Sequence, residues 1–269
     1  MTNCDAVKMM PDFAPEDHKN SRGRVLVWGG SVEYPGAVAL AVCGAMSGGA
    51  GLVRCVSEIV PDLPRAAICR RLGALETPES WYDLSDVLVC GCGWGSSGNA
   101  AKLSVAWEFP GTLIVDADAL NVLARHPEVW KKRENLILTP HPGEAARLAA
   151  GAGVELSGNR MENALLLAEK FHAAVIYKGK DTIVAAPGRE SRVIAAGSPA
   201  LATAGSGDVL AGCVGALAAR RGVDAFTAAV LGAYLHGVAG ENAPGILIAD
   251  QLPEQIGLLL RKIVSNGLF

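Results

Sequence analysis

The sequence predicts a single α/β domain, residues 1–269, in which helices cover both faces of a mostly parallel central sheet. Short runs of β-branched and aliphatic residues alternate along the chain with longer runs rich in alanine and leucine, and such alternation is typical of a parallel sheet. Half of the 269 residues are apolar, which is enough for a large core. Glycines and prolines cluster at the ends of the strand candidates, where turns are expected.

Each element follows from its local composition. We expect residues 1–20 to be an N-terminal extension, because prolines and acidic residues there leave no apolar pattern. The uncharged run Tyr34–Val53 is as long as a membrane span, but its five glycines divide it into a core helix and a strand. Aliphatic and β-branched runs predict strands at Val25–Val27, Val87–Val89, Leu113–Val115, Leu136–Leu138 and Ala174–Tyr177, then a hairpin from Thr182 to Val193. Alanine- and leucine-rich runs predict helices at Gly36–Met46, Asn99–Trp107, Ala119–Leu123, Gly143–Ala150, Asn163–Phe171 and after Asp208 and Phe226.

Charge and cysteine usage restrict the partners of the chain. The formal net charge is −3 and the basic residues are scattered, so we expect no nucleic acid and no membrane as partners, and small molecules are favoured. The seven cysteines lie mostly in apolar runs, and Cys90 and Cys92 lack the spacing of a zinc site or a redox motif. Residues 1–20 carry no recognisable secretory signal. These features predict a cytoplasmic protein.

The most informative segment is Ala204–Gly212, a glycine-rich turn that leads into an apolar helical run. Its glycines let backbone N–H groups surround an anion, and the N-terminus of the following helix adds a positive partial charge. Asp208 stands at this point as a candidate general base, so the segment indicates phosphoryl chemistry. The alternative is a simple helix start, in which Asp208 caps the first turn and the glycines only shape the bend.

Two loops that follow strand candidates also carry groups suited to chemistry, since ligands of parallel sheets bind at the carboxyl ends of the strands. Gly91–Gly95 has glycines at alternate positions, which would admit a flat or anionic ligand, although a plain tight turn explains them equally well. Asp116 and Asp118 directly follow another strand, where carboxylates serve acid–base or metal chemistry. For Asp118 the alternative is that it caps the next helix.

Three histidine- or lysine-bearing segments complete the candidates. Thr139–Glu144 holds His141 between two prolines, so the ring contacts a ligand or serves a structural cap. Lys178–Thr182 offers two cations, a glycine and a hydroxyl for a nucleotide, but taken alone it is better explained as a charged β-turn. His236 lies among small residues on an apolar run, which close helix packing explains.

In order and spacing, these segments resemble the ADP/ATP-dependent NAD(P)H-hydrate dehydratases from about Arg22 to Asp250. The resemblance implies a ribokinase-like fold. It also implies the stand-alone form of a domain that, in many relatives, follows an epimerase domain. The motifs that carry it are Gly36–Ala37, Gly49–Val53, Asp116–Asn121, Leu138–Glu144, Lys178–Gly179, Gly205–Gly212 and His236–Gly240.

The same resemblance implies a reaction and the residues that perform it. The family restores nicotinamide cofactors whose reduced ring has added water, by phosphorylating the hydroxyl of the S-epimer and eliminating phosphate. The substrates would be NADHX and NADPHX, the hydrated forms of NADH and NADPH. Asp208 would be the catalytic base, and the hydrated cofactor would contact Ala37, Gly95, His141 and Asp208.

The resemblance further implies a nucleotide site and a homo-oligomer. ADP or ATP would be the phosphoryl donor, and Mg²⁺ is expected with the nucleotide because phosphoryl transfer needs its charge neutralised. No separate metal site on the protein is predicted. The residues that would hold the nucleotide are Lys178, Gly179, Lys180, Asp181, Thr182, Gly205, Ser206 and Gly207.

The chain departs from the family pattern at two places. Gly91–Gly95 replaces Gly-Pro-Gly-Leu-Gly, so Cys92 stands for proline and Trp94 puts an indole at the substrate loop, where we expect it to affect substrate fit. Before the catalytic turn, one amide, two glycines and one threonine are replaced, which removes backbone freedom and predicts an active enzyme with altered kinetics. The replacing residues are Ser198, Ala200, Ala204 and Ser206.

Two other functions remain open from the residues alone. A kinase of the same fold, acting on a vitamin-like alcohol, would use the Gly-x-Gly-Asp turn equally well, although Thr139–Glu144 argues against it as a substrate-side feature of the dehydratases. A non-catalytic nucleotide-binding relative is supported only by the altered segment 197–204.

Overall fold

The computed structural model describes residues 8–10, 16–73, 76–127, 130–243, 245 and 247–265. Most of the predicted N-terminal extension, residues 1–20, therefore lies outside the described residues. The strands are β1 (Arg24–Trp28), β2 (Leu52–Ser57), β3 (Ile68–Arg71), β4 (Val87–Cys90), β5 (Thr112–Val115), β6 (Leu136–Leu138), β7 (Ala174–Tyr177), β8 (Thr182–Ala185) and β9 (Arg192–Ile194).

Helices follow most of the strands, as the alternating composition predicts. The α-helices are α1 (Pro35–Ser47), α2 (Asn99–Trp107), α3 (Ala117–Arg125), α4 (Pro142–Gly151), α5 (Arg160–Phe171), α6 (Ser206–Ala218), α7 (Ala225–Asn242) and α8 (Leu252–Ser265). Short 3₁₀ helices lie at Pro78–Leu84, Pro199–Leu201 and Ala249–Gln251. None of the helices in the described ranges is both long enough and apolar enough to cross a membrane.

The predicted α/β class is confirmed. The described strands form one sheet in the order β3-β2-β1-β4-β5-β6-β7-β8-β9. The pairs from β3 to β7 are parallel, whereas β8 is antiparallel to both of its neighbours, β7 and β9. The antiparallel pair of β8 and β9 confirms the predicted hairpin. The uncharged run Tyr34–Val53 divides into α1 and the start of β2, also as predicted.

Side chains of each buried strand point alternately into two cores, one on each face of the sheet. Val25 and Val27 of β1 pack with residues of α1, α6, α7 and α8. Leu26 and Trp28 pack on the other face with residues of α2, α3, α4 and α5. The chain is thus a three-layer sandwich of helices, sheet and helices.

Glycines bring the backbones of α1 and α6 into direct contact. A Cβ placed on Gly44 would lie 2.2 Å from the carbonyl oxygen of Val209, and one on Gly212 would lie 1.9 Å from that of Ala41. On the same helix, a Cβ on Gly215 would lie 2.8 Å from Val89 of the sheet. This close packing holds the first turn of α6 beside the central strands.

The parallel pairing aligns the carboxyl ends of seven strands along one edge of the described sheet. Trp28 pairs with Cys90, Cys90 with Val115, and Val115 with Leu138 at the ends of β1, β4, β5 and β6. The next strand, β7, continues the parallel set. The loops singled out by the sequence leave the sheet at this edge and therefore meet there.

Candidate active site

Asp208 lies in the first turn of α6, directly after the glycine-rich turn. Gly205 precedes the helix with φ +89°, and a Cβ there would lie 2.3 Å from the Leu40 side chain, so only glycine fits. Gly205 occupies the N-cap position, and no side-chain hydrogen bond caps the helix. The alternative in which Asp208 serves as a cap is therefore wrong, and its carboxylate is available for other contacts.

Asp116 is the buried centre of the site and is held from two neighbouring strand ends. It follows β5 and is 2% exposed. The Thr139 hydroxyl, just after β6, donates a hydrogen bond to Asp116 Oδ1. The Nζ of Lys178, just after β7, donates to the same oxygen at 3.1 Å. Three consecutive parallel strands thus bring a carboxylate, a hydroxyl and an ammonium together.

Lys178 bridges this carboxylate to a second one on α4. Its Nζ lies 3.8 Å from Glu144 Oε2. Burial by itself lowers the pKa of Lys178, but the charges of Asp116 and Glu144 outweigh it and leave the pKa raised. Burial raises the pKa of Glu144, and Lys178 counteracts that rise. The ammonium is therefore a permanent positive charge within the site.

The catalytic candidate Asp208 lies against Asp116 and the Cys92 thiol. Ligand atoms of these three residues all lie within 4.8 Å of one another, and Cys92 Sγ is 3.8 Å from Asp116 Oδ2. Burial and the charge of Asp116 raise the pKa of Asp208 to about 7, against the opposing effects of the Cys92 hydrogen bond and Lys178. A metal ion could bridge such a cluster, but the Lys178 ammonium already neutralises Asp116. Asp208 is a carboxyl that exchanges its proton near neutral pH, as a general base requires.

The N-terminus of α6 and Lys178 together form an anion-binding surface. The first N–H groups of a helix have no partner within the helix, and those of Gly207 and Asp208 belong to this turn. A Cβ on Gly207 would lie 3.3 Å from Lys178 Nζ, so glycine keeps the space between helix end and ammonium open. The chemistry of these donors suits a phosphate group.

His141 combines a structural role with an exposed ring edge. It is the N-cap of α4, where Nδ1 accepts from the N–H groups of Gly143 at 3.0 Å and Glu144 at 3.4 Å. Glu144 Oε2 accepts in return from the His141 N–H, which completes a capping box. Half of the side chain is exposed, and its Nε2 lies 3.5 Å from Glu144 Oε1. Burial and the nearby Lys178 lower the pKa of His141.

The predicted substrate loop lies against the start of α1 and a polar cleft. A Cβ on Gly93 would lie 2.6 Å from Ala37 Cβ, so Ala37 and the loop are adjacent. The Gly95 N–H donates to Asp118 Oδ2 at 3.0 Å. The interpretation of Asp118 as a helix cap is wrong, because Asp116 occupies the N-cap position of α3. The cleft beside Gly95 has a volume of about 260 Å³ and is lined by Glu33, Tyr34, Gly95, Ser96, Asn99, Asp118, Asn121 and Arg125.

The sequence led us to expect the Trp94 indole at the surface of the substrate loop, but the side chain points away from that surface. Its side chain is 2% exposed, its Nε1 donates to the Trp28 carbonyl at 3.0 Å, and its ring packs edge-to-face against the Trp28 ring with centroids 5.3 Å apart. The indole thus points into the core, because an aromatic pair and one hydrogen bond are available there. Substrate fit is affected at most through the backbone of the loop.

The remaining candidates divide into those near Asp208 and those at the β7–β8 turn. The carbonyl of Ser206 contacts His236 Nε2 at 2.9 Å, and the Ser206 hydroxyl donates to the Leu201 carbonyl. Burial lowers the pKa of His236 to about 4.

Lys180 is exposed at the turn between β7 and β8. Its neighbours Gly179 and Asp181 are also exposed there, and the Thr182 hydroxyl donates to the Gly179 carbonyl at 3.3 Å. Within the described residues, this turn lies outside the Asp116 cluster.

The chain is similar to a known protein family and to several known proteins. A family model described as NAD(P)H-hydrate dehydratase matches residues 25–257. The chain belongs to this family. The ADP-dependent (S)-NAD(P)H-hydrate dehydratase of Neisseria meningitidis serogroup B is 38% identical over 244 aligned positions, and the match covers 85% of this chain and 79% of that protein. The chain spans about half the length of the bifunctional NAD(P)H-hydrate repair enzymes among its relatives.

Solved structures agree with the family and with the ribokinase-like fold. The Bacillus subtilis ADP/ATP-dependent NAD(P)H-hydrate dehydratase, co-crystallised with ATP and Mg²⁺, has a TM-score of 0.81 at 28% identity, with 97% of both chains covered. A ribokinase-like superfamily protein from Enterococcus faecalis has a TM-score of 0.86 at 20% identity, covering 98% of this chain and 96% of that chain. The predicted ribokinase-like fold is confirmed.

Three side chains of this dehydratase-family site are not among the catalytic and binding residues that the sequence predicts. Asp116 was noted after its strand, and Glu144 in its helix, but neither was expected to share Lys178. Cys92 was interpreted as one of the cysteines in apolar runs and as a replacement within the glycine loop, and not as a neighbour of the carboxylates. The glycines on either side of Cys92 were the available signal, because they let the thiol approach the carboxylates.

Proposed function

We propose that this protein dehydrates the S-epimer of NAD(P)H-hydrate, with ADP or ATP as the phosphoryl donor. The observation that carries the proposal is the position of Asp208, a carboxyl with a pKa of about 7 at the N-terminus of α6 and beside the Asp116–Lys178 pair. Membership of the dehydratase family supports the choice of substrate. Base, anion-binding surface and fixed positive charge meet at one point, as phosphoryl transfer to a hydroxyl requires.

In the proposed reaction, Asp208 accepts the proton of the ring hydroxyl while the hydroxyl oxygen forms a bond to the terminal phosphorus of the nucleotide. The bond from that phosphorus to the bridging oxygen breaks. The ring carbon–oxygen bond then breaks, phosphate departs, and loss of a proton from the neighbouring carbon restores the ring double bond. Asp116 is held by Lys178 and Thr139, and its negative charge keeps Asp208 basic enough to take the first proton.

The nucleotide and Mg²⁺ would be held by the surface between α6 and Lys178. The N–H groups of Gly207 and Asp208 and the Lys178 ammonium are suited to phosphate oxygens, and the open space at Gly207 supports this fit. The Ser206 N–H already donates to the Thr203 carbonyl at 3.4 Å. Mg²⁺ bound with the nucleotide would neutralise part of the phosphate charge. The segment Gly179–Thr182, which is exposed at Gly179, Lys180 and Asp181, would contact the nucleoside end.

The test is an assay of ring recovery with purified protein. S-epimer NADH-hydrate, Mg²⁺ and either ADP or ATP are mixed with the protein, and the near-ultraviolet absorbance of the reduced ring is followed. We expect recovery that requires a nucleotide, and the effective nucleotide identifies the donor. Absence of recovery with both nucleotides, despite tight nucleotide binding, would overturn the proposal in favour of a kinase or a non-catalytic relative.

Asp208→Asn tests the role of the base. We expect turnover to fall about 10²-fold or more while both ligands still bind, because the amide cannot accept the hydroxyl proton. Asp62→Asn is the matched control, since Asp62 is an exposed carboxylate that does not belong to the Cys92–Asp116–Asp208 cluster. Turnover of the Asp208 variant close to that of the control would exclude the proposed role.

We also propose that the protein is a cytoplasmic homo-oligomer. The free thiols of the described cysteines support a reducing compartment, and family resemblance supports the oligomer. Fractionation of cells and sedimentation of the purified protein would test the two statements separately.

A further inference from the structure

Cys55 and Cys69 face each other on two neighbouring parallel strands. Cys55 lies in β2 and Cys69 in β3, and the two residues are direct partners in the register of the pair. Their Sγ atoms are 3.6 Å apart. Neighbouring strands lie about 4.8 Å apart, and disulfides join Cα atoms separated by roughly 4.4–6.8 Å. A small rotation of the two side chains would therefore bring the sulfurs to bonding distance.

The two thiols differ in exposure in the way that a reactive pair requires. Cys69 is exposed and β3 ends the described sheet on that side, whereas Cys55 is fully buried. Burial and the neighbouring Cys69 raise the pKa of Cys55, so Cys69 is the thiol that meets a reagent first. By contrast, the thiols of Cys90, Cys92 and Cys213 are buried, and no exposed cysteine is paired with them among the residues that the structure describes.

We propose that Cys55 and Cys69 are a redox-modification site, which a small-molecule disulfide such as oxidised glutathione converts to an intramolecular disulfide. The Cys69 thiolate attacks one sulfur of the reagent, whose S–S bond breaks and releases one glutathione thiol. Cys55 then loses its proton and attacks Cys69 Sγ, which forms the protein disulfide and releases the second glutathione thiol. Two protein thiols are oxidised, and one external disulfide is reduced to two thiols.

The bond would close a short loop at the end of the sheet. The segment between the two cysteines contains the exposed residues Val60 and Asp62, and linking its ends restricts the unfolded chain. The β2–β3 pair would also resist separation at an edge where β3 has a single neighbour in the described sheet. We expect oxidation to raise the Tm by roughly 5 °C and reductant to reverse the rise.

Peptide mapping tests the proposal without any activity assay. Trypsin cleaves after Arg54, Arg65 and Arg70, so Cys55 and Cys69 fall in different peptides, 55–65 and 66–70. The purified protein is incubated with oxidised glutathione, free thiols are alkylated, and the digest is analysed by mass spectrometry without reduction. We expect the two peptides to be joined, and the joined species to disappear after treatment with dithiothreitol.

Single variants separate the disulfide from simple thiol modification. In Cys55→Ser we expect Cys69 to retain bound glutathione. In Cys69→Ser we expect neither the glutathione adduct nor the disulfide. The control Cys43→Ser should behave as wild type. A stable glutathione adduct on wild-type Cys69, with no joined peptides, would overturn the proposal. So would joined peptides that involve other cysteines. Because none of these readouts uses substrate, they are independent of the dehydratase proposal.

Discussion

Asp208 owes its proton affinity to its neighbours and not to its place in the helix. A carboxylate in the first turn of a helix is stabilised by the macrodipole, which favours a low pKa. Burial and the adjacent charge of Asp116 act in the other direction and raise the pKa to about 7. Asp116 forms an ion pair with the Lys178 ammonium at 3.1 Å. Two carboxyls that are close in space thus receive different roles from their surroundings.

The pH dependence of turnover follows from this arrangement. Only the carboxylate form of Asp208 can accept a proton, so kcat/KM should fall about tenfold per pH unit below 7 and level off above it. The measurement is kcat/KM for the hydrated cofactor between pH 5.5 and 8.5 at saturating nucleotide. A flat profile across this range would contradict the assignment of Asp208 as the base.

Cys92 should tune the same titration. Its hydrogen bond lowers the pKa of Asp208, so Cys92→Ala is expected to move the midpoint of the profile to higher pH. The ratio of activity at pH 6 to activity at pH 8.5 should then be roughly threefold lower in the variant than in the wild type. Cys92→Ser keeps a donor and should restore the wild-type midpoint. An equal loss of activity at every pH in the alanine variant would indicate a purely structural role.

At the scale of elements, the contact between α1 and α6 places the catalytic turn. Gly44 and Gly212 leave no room for side chains between the two backbones, so α6 sits close enough to the sheet for Asp208 to reach Asp116. Side chains at these positions would have to push the helices apart. The glycines of this helix pair therefore matter for geometry as well as for packing density.

Two alanine substitutions test this contact. Gly212→Ala introduces a Cβ 1.9 Å from the Ala41 carbonyl and should destabilise the protein by about 2 kcal/mol or more through overpacking. Gly36→Ala, in α1 with nothing within 4 Å, should be neutral or stabilise by up to about 1 kcal/mol. Urea denaturation measures both. Equal stability of the two variants would show that the helices separate at little cost.

Predictability from sequence differs among the elements for physical reasons. β1, β4, β5, β6 and β7 were predicted because buried parallel strands are continuous apolar runs. β3 was missed because its residues Ile68–Arg71 are exposed or half-buried and end in two arginines. α8 was missed although its buried Leu252, Ile256, Leu260 and Ile263 have helical spacing, so the signal was present.

At the scale of the whole molecule, the site is less predictable than the sheet that carries it. Asp208 and its glycines are neighbours in sequence, so their arrangement follows from one local turn. The Lys178–Asp116 pair joins residues 62 positions apart, and its formation depends on the order of three strands. The inward direction of Trp94 depends in the same way on Trp28, which a local reading of the glycine loop cannot reveal.

Global stability should reflect the cost of the catalytic carboxyl. The folded pKa of Asp208 is raised from 3.8 to about 7, so its protonated form supports the fold at low pH and this support is lost as the pH rises through 7. Asp208→Asn carries no charge and should exceed the wild type by about 2 kcal/mol at pH 8, with little difference near pH 4.

The comparison is made by urea unfolding of both proteins at each pH. His236, whose folded pKa is lowered to about 4, loses stabilising effect as the pH falls from 6.5 toward 4. It acts in the opposite direction to Asp208 but equally in both proteins, so it cancels in the difference. A variant that is less stable than wild type at pH 8 would contradict the prediction.

The inward packing of Trp94 gives the protein an internal optical reporter. Its indole is shielded from water. Trp94 comes directly after Gly93, which packs on Ala37 and belongs to the loop proposed to bind the hydrated ring. Indole emission overlaps the absorption of reduced nicotinamide, whereas the hydrated ring absorbs at shorter wavelength. Each regenerated ring at this loop would accept excitation energy from Trp94 before it leaves. Fluorescence could thus time product release separately from the chemical steps, on the unlabelled protein.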